Sequence, residues 1–353
     1  MPWRVSSAAG MVSPLLGAMV IRVKTWLLKR WFLIALAAVL VVGFSGSELF
    51  ASLADAPLLR RAIVAVVLYV MALPLGLHAV WRAIRYPGPS LLAASINFGL
   101  LPVVAWGLYL AVMVPIGLNH QLAVGILIAA ATPSTLASAA VWTRRAGGDD
   151  TVPVLVTLIT NLSCFVVTPL WLVTMTGEQV GAVQLGPMVI KLLCLIVLPM
   201  GAAQLCRLRA PVRDWAADHK SVLGVVAQCG VLAMILVGSV RAGLSIRQTE
   251  TAAASAGIWD YGLMIALVLT IHLSMLAVGH CAGTWLGMAR GARIAVGFAG
   301  SQKTLLVGLT VAVEDYGAFA LAVLPMVAYH VGQLLVDTVI ADRLRAATVE
   351  EPH

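Results

Sequence analysis

Ten stretches of this chain are apolar for long enough, or nearly long enough, to cross a bilayer. They run over residues 31–50, 62–81, 90–113, 121–143, 151–175, 186–206, 222–241, 260–288, 292–313 and 317–338. A span needs about 20 apolar residues because the hydrocarbon core is about 30 Å thick. In that core every backbone polar group must find a partner within the protein, so such runs become helices. The fold expected is therefore all-α, a polytopic membrane protein of ten transmembrane helices. Composition agrees: 61% of the residues are hydrophobic and 11% charged, too few charges to cover a soluble surface.

The net charge is +8. The basic residues cluster between apolar runs, with no stripe interleaved with stacking aromatics, which argues against a nucleic-acid partner. With the N-terminus in the cytoplasm, the inside segments collect Arg82, Arg85, Arg144, Arg145, Arg207, Arg209, Arg213, Lys220, Arg290, Arg293, Arg343 and Arg345. Outside segments hold only Arg60, Arg61, Lys191, Arg241 and Arg247. That bias places both termini in the cytoplasm. Residues 1–30 read as a cytoplasmic leader with a basic anchor rather than a cleavable signal, and residues 339–353 as a cytoplasmic tail. Such a chain fits a bacterial inner membrane. Five cysteines, Cys164, Cys194, Cys206, Cys229 and Cys281, form no Cys-x-x-Cys pair. They read as small residues packed between helices, with no disulfide framework or metal site.

The chain also carries an internal repeat. Thr132-Pro133-Ser134-Thr135-Leu136 overlays Ser301-Gln302-Lys303-Thr304-Leu305, and the same offset puts Gly148 on Gly317 and Asn161 on His330. One copy enters its span from outside and the other from inside. Residues 31–175 and 186–338 are thus expected to be two inverted five-helix repeats, an architecture whose site lies at the repeat interface.

The repeated segments hold the chemistry. Pro133 removes a backbone donor in mid-span, among Thr132, Ser134, Thr135 and Ser138, so the fourth helix should break there. Ser301, Gln302, Lys303 and Thr304 give the ninth the same character. Freed backbone groups must then face protein or a water-filled cavity. Lys303 is the most informative residue, because an ammonium at membrane depth is expensive and functional by default. Where two broken helices cross, their carbonyl ends carry partial negative charge. Lys303 can neutralise those ends as a bound cation would, hold an anionic substrate, or exchange a proton. His330, Gln333 and Asp337 share one face of the tenth span. His330 is either a proton relay or a packed imidazole, and Asp337, close to the span's end, is either solvated or part of the site. Asn161 and Thr157 line the matching face of the fifth span, while Asn97 and His272 form another repeat-related pair. A substrate cavity lined by Asn97, Ser134, Gln302 and His330 is expected.

These residues resemble the bile acid:sodium symporter superfamily, in particular the SBF-like branch that includes vertebrate solute carrier family ten, member seven. Three stretches carry the resemblance: Asn97-Phe98 with Leu101-Pro102 and Trp106; Thr132-Pro133-Ser134-Thr135 with Arg145-Ala146-Gly147; and Gly300 to Leu305 with Leu324-Pro325-Met326 and His330. It covers roughly residues 30–345. It implies a panel of spans one, two, six and seven beside a core of spans three to five and eight to ten, with helices four and nine crossing in the core. It also implies alternating access by movement of core against panel. The family's acidic ion ligand falls on Phe298 here. Gln302 keeps its glutamine, and Asn97 stands at its third-helix glutamine. Ser138 and Thr157 match other family ion ligands, while Ala139 replaces an expected asparagine. A sodium site would draw on Ser138, Thr157 and Gln302, but the missing carboxylate and the added Lys303 speak against sodium coupling.

The function expected is secondary active transport of a small, anionic organic solute, with sodium or proton coupling left open and no cofactor. The alternative is a non-transporting membrane regulator of ion homeostasis with the same fold. No paired intramembrane aspartates, zinc-binding helix or activated serine motif supports an enzyme. The lipid bilayer is the one certain partner; the sequence does not fix an oligomeric state.

Overall fold

The computed structural model describes residues 31–76, 84–135, 138–177, 184–248 and 256–349. The leader 1–30, the end of the second span and residues 350–353 lie outside them. Regular structure among the described residues is entirely helical. Seven helices there are long and apolar enough to cross a membrane, and two further apolar helices are shorter.

We label the principal helices α1 (Trp31–Ser45), α2 (Pro57–Ala72), α3 (Gly88–Met113) and α4 (His120–Ala131). Next come α5 (Ser138–Arg145), α6 (Thr151–Thr176), α7 (Leu185–Arg207) and α8 (Lys220–Gln248). The last are α9 (Ile258–Trp285), α10 (Arg290–Ser301), α11 (Leu305–Glu314) and α12 (Val323–Val349).

Local chemistry sets the ends and irregularities. Asn119 caps α4, its side-chain oxygen accepting from the backbone of Gln121 and Leu122. Gly177 closes α6 at φ 51°, a left-handed conformation that glycine adopts without strain. Three π-helical turns interrupt otherwise α-helical segments, at Ile96–Leu100, Tyr109–Met113 and Leu193–Val197. Each ends two residues before a proline: Pro102, Pro115 and Pro199. Proline has no N–H and its ring crowds the carbonyl one turn back, so the ladder upstream widens. Asn97 sits in the first of these widened turns.

The helices pack on one another across the bundle, α7 meeting α6 and α8 meeting α11. α2 lies against α7 and α8, and Gly43 of α1 lets that helix approach Ser239 of α8. α9 packs on α10 and α12; α10 also meets α3 and α6, and α4 meets α6 and α12. The α10–α11 segment is wholly enclosed, its apolar window 100% buried. Small residues permit that depth: a Cβ on Gly279 of α9 would come within 3.0 Å of the Gly297 Cα of α10.

Two expectations change. The last helix runs to Val349 rather than ending at 338, so part of the expected tail is helical. Only Cys164 is buried, whereas Cys194, Cys206, Cys229 and Cys281 lie on the exposed surface. Lipid-facing and protein-facing sides of a membrane helix are equally apolar, so hydropathy cannot separate them.

Candidate functional site

Both central helices break. α4 stops at Ala131, and Thr132 is extended at φ −75° and ψ 157°. α10 stops at Ser301, and Gln302 is extended at φ −76° and ψ 140°. The breaks touch, with the Thr304 N–H donating to the Pro133 carbonyl at 2.9 Å. Two C-terminal helix ends, each carrying unpaired carbonyls and partial negative charge, therefore meet in the same interior region.

Lys303 answers that charge. It is 2% exposed. Its ammonium donates to the Thr132 carbonyl at 2.7 Å, to the Asn97 carbonyl at 2.7 Å and to Asn97 Oδ1 at 3.2 Å. The Phe98 ring lies 5.5 Å away, within cation–π range. Asn97 closes the other helix end: its amide nitrogen donates to the carbonyls of Ala299, Gly300 and Gln302. Lys303 thus caps α4 while Asn97 caps α10, and the two side chains bond each other.

The rest of the broken backbone is satisfied with equal care. Ser134 Oγ donates to the Ala299 carbonyl, and Thr160 Oγ1 accepts the Ser134 N–H. Asn161 donates to the Ser134 carbonyl, Thr157 to that of Thr135 and Thr168 to that of Ala131. On the other side, Gln333 clasps the Lys303 backbone, accepting its N–H at 2.9 Å and donating to its carbonyl at 3.0 Å. Tyr329 donates to the Ser301 carbonyl. These partners meet the requirement that irregular backbone at membrane depth be buried in protein.

A polar chain leads outward from this knot. Gln302 Oε1 accepts from Ser138 at 2.8 Å and from Thr135 at 3.1 Å. Its Nε2 donates to Asp337. Asp337 is 0% exposed and paired with His272 at 2.8 Å, so it is not solvated. α12 continues beyond it for three turns, which puts the carboxylate well inside the helix rather than near its end.

Two neighbouring cavities follow the seam between α1, α2 and α8 on one side and α5, α11 and α12 on the other. The first, about 220 Å³, is lined by Phe32, Met71, Thr135, Gln228, Thr304 and His330, among others. The second, about 640 Å³, reaches Ser138, Trp142, Arg145 and Thr338. Of the four residues expected at a substrate cavity, one borders the first cavity. His330 lines the cavity, but Asn97, Ser134 and Gln302 are fully buried behind it, and Thr135, Ser138 and Thr304 take their place at the wall.

Of the residues singled out by sequence, Asn97, Thr132, Pro133, Ser134, Thr135, Ser138, Thr157, Asn161, Ser301, Gln302, Lys303, Thr304 and Gln333 form one connected network. His330 joins it through Gln333 at 3.1 Å. Ser138 and Gln302 touch, whereas Thr157 reaches them only through Thr135. Tyr329 gave no signal beyond an ordinary aromatic in a span.

The family description that matches residues 30–346 is that of the SBF-like CPA transporter family. Sodium/bile acid cotransporter 7 of Danio rerio is 23% identical over 327 residues, covering 90% of this chain and 94% of that protein. Its namesake in Rattus norvegicus is 22% identical over 328 residues, covering 90% and 93%. An uncharacterized protein of Pseudomonas aeruginosa, PA2026, is 26% identical over 262 residues, covering 72% and 74%. With the family match running over most of the chain and apolar helices throughout, this is an integral multi-pass membrane protein that belongs to the SBF-like CPA transporter family.

Proposed function

We propose that the protein is a secondary active transporter that carries a small organic anion by alternating access, with Lys303 standing permanently where a coupling cation would otherwise sit. The observation that carries this reading is the Lys303 ammonium, bonded to carbonyls at a junction of two interrupted helices. A cation-coupled carrier leaves such a junction for its ion; here a side chain fills it. In this reading the chain consists of ten spans in two inverted repeats. α1, α2, α7 and α8 form the panel and the remaining helices the core.

The solute's place is the seam between panel and core. The N-terminal ends of α5 and α11 border the cavities through Ser138 and through Thr304, Leu305 and Leu306. Helix N-termini carry partial positive charge, which suits a carboxylate or similar anion. Apolar walls from Phe32, Val70 and Met71 suit an organic body.

The pattern of ion pairs supports an inward-open state. Arg60 and Arg61 of the panel fork onto Glu314 at the end of α11, at 3.0 and 2.9 Å. Lys191 pairs with Asp315, and Arg241 donates to the Val313 carbonyl. Panel and core are thus latched at the end where basic residues are expected outside, and the cavities lie toward the other end, near Lys220 and Arg145.

The test is a thermal-shift screen of organic anions on the full-length protein in detergent with choline replacing sodium, followed by uptake in proteoliposomes. An anion that raises the melting temperature and accumulates faster than in empty liposomes is expected. If no anion is bound and no flux exceeds that of empty vesicles, the protein is a regulator with a transporter's fold.

A further inference from the structure

One face of α8 lines the seam. Lys220, Leu223, Gly224, Ala227, Gln228 and Val231 border the first cavity, at the spacings of three and four that share a helix face. Lys220 and Gln228 are the polar members of that row. The other panel residues on the two cavity walls are Phe32, Leu33, Val70, Met71 and Pro74, all apolar. Among the described residues, the panel therefore offers the seam two polar side chains. Lys220 is the first residue of α8, and Gln228 stands about 12 Å further along it.

Gln228 also occupies the place where the cavities meet. It borders both of them, together with Phe32, Ser138 and Leu334. Phe32 and Leu334 are apolar. Ser138 is already bonded to Thr135 and Gln302. Further in, Thr135 is bonded to Gln302, and His330 to Gln333. These core side chains spend hydrogen bonds on one another. Gln228 is exposed and has no hydrogen bond among the described residues. An amide carries two donors and an acceptor oxygen, and polar groups held within a membrane span are functional by default.

We infer that Gln228 is a specificity-determining residue, which selects among organic anions those that carry an uncharged hydrogen-bonding group, a hydroxyl, keto or amide, on the body of the molecule. The inference rests on the transport reading above. The charged end lies at the N-terminal ends of α5 and α11 on the core, the body crosses the seam, and its polar group meets the Gln228 amide on the panel. A body of plain hydrocarbon displaces water from that amide and returns nothing to it. A site with a polar group waiting for a partner rejects the analogue that lacks one, whereas an apolar wall barely tells the two apart. Charge is read elsewhere: Lys220 lies at the start of α8, and Arg145 at the second cavity is paired with Asp342.

The test is a thermal-shift titration of the full-length protein in detergent with two anions that differ by one hydroxyl, hydrocinnamate and its para-hydroxy derivative, for wild type and Gln228→Leu. In the wild type the hydroxylated anion should reach half its effect at a concentration about 3–10-fold lower. Gln228→Leu should bring the two anions level by weakening the hydroxylated one alone. Equal potency in the wild type, no shift from either anion, or a preference that survives in Gln228→Leu would overturn the assignment. The wild-type comparison decides the matter even where the variant does not fold. If other organic anions cross proteoliposome membranes while the wild type does not distinguish this pair, transport stands and the role of Gln228 falls; a preference that depends on Gln228, with no flux of any anion, does the reverse.

Discussion

The Lys303 ammonium donates to the Thr132 carbonyl at 2.7 Å, so a side chain from the break in one helix closes the C-terminal end of another. Asn97 returns the arrangement, its amide donating to the Gln302 carbonyl at 2.9 Å. A lysine taken out of water costs several kcal/mol unless every proton is bonded. Here the ammonium replaces the hydration it gave up with two carbonyls and an amide oxygen.

Asn97→Leu should be strongly destabilising. It removes the donors to Ala299, Gly300 and Gln302 and one acceptor of Lys303. Buried groups left unbonded cost about 1–3 kcal/mol each. Melting of the full-length protein in detergent should fall well below that of Asn97→Gln, which keeps the amide.

Under the proposed topology, Glu314→Gln should weaken the latch between α2 and the end of α11. The carboxylate loses its charge against Arg60 and Arg61. A change of about 1–2 kcal/mol in the balance of states is about a 5–30-fold shift. Labelling of Ser138→Cys by a membrane-impermeant thiol reagent applied from the cytoplasmic side should slow in that background, as the cavity opens the other way.

Gly279→Val should disrupt the α9–α10 contact without removing any polar side chain. The new Cβ would meet Gly297 Cα and the Val296 carbonyl at 3.0 Å, and these are backbone atoms that cannot swing aside. Overpacking of this kind costs about 1–3 kcal/mol. A lower melting temperature is expected, while Gly262→Val, with open space around it, should melt near the wild type.

The two breaks were legible in the sequence because proline and lysine are anomalies in apolar spans, and each names its own position. Asn97 was legible as an amide at depth, though its part in capping α10 depends on how α3 packs against that helix's end. Asp337 was harder. Hydropathy ended the last span at 338, one residue past it, whereas the helix continues to Val349 and carries the carboxylate into the interior. His272 was visible as a polar residue in a span, but its partner lies on another helix, and pairing across helices is a matter of packing. The exposed cysteines misled for a related reason: a membrane helix is apolar all round, so the pattern that marks a buried face in water is missing.

The most direct measurement is the thermal stability of the full-length protein in detergent, with sodium and with sodium replaced by choline, for wild type and Lys303→Ala. Binding to the folded state raises apparent stability by mass action. The account predicts no sodium effect in wild type, where the ammonium fills the junction, and a gain with sodium in Lys303→Ala, where the freed carbonyls can take an ion. A gain with sodium in the wild type would contradict it.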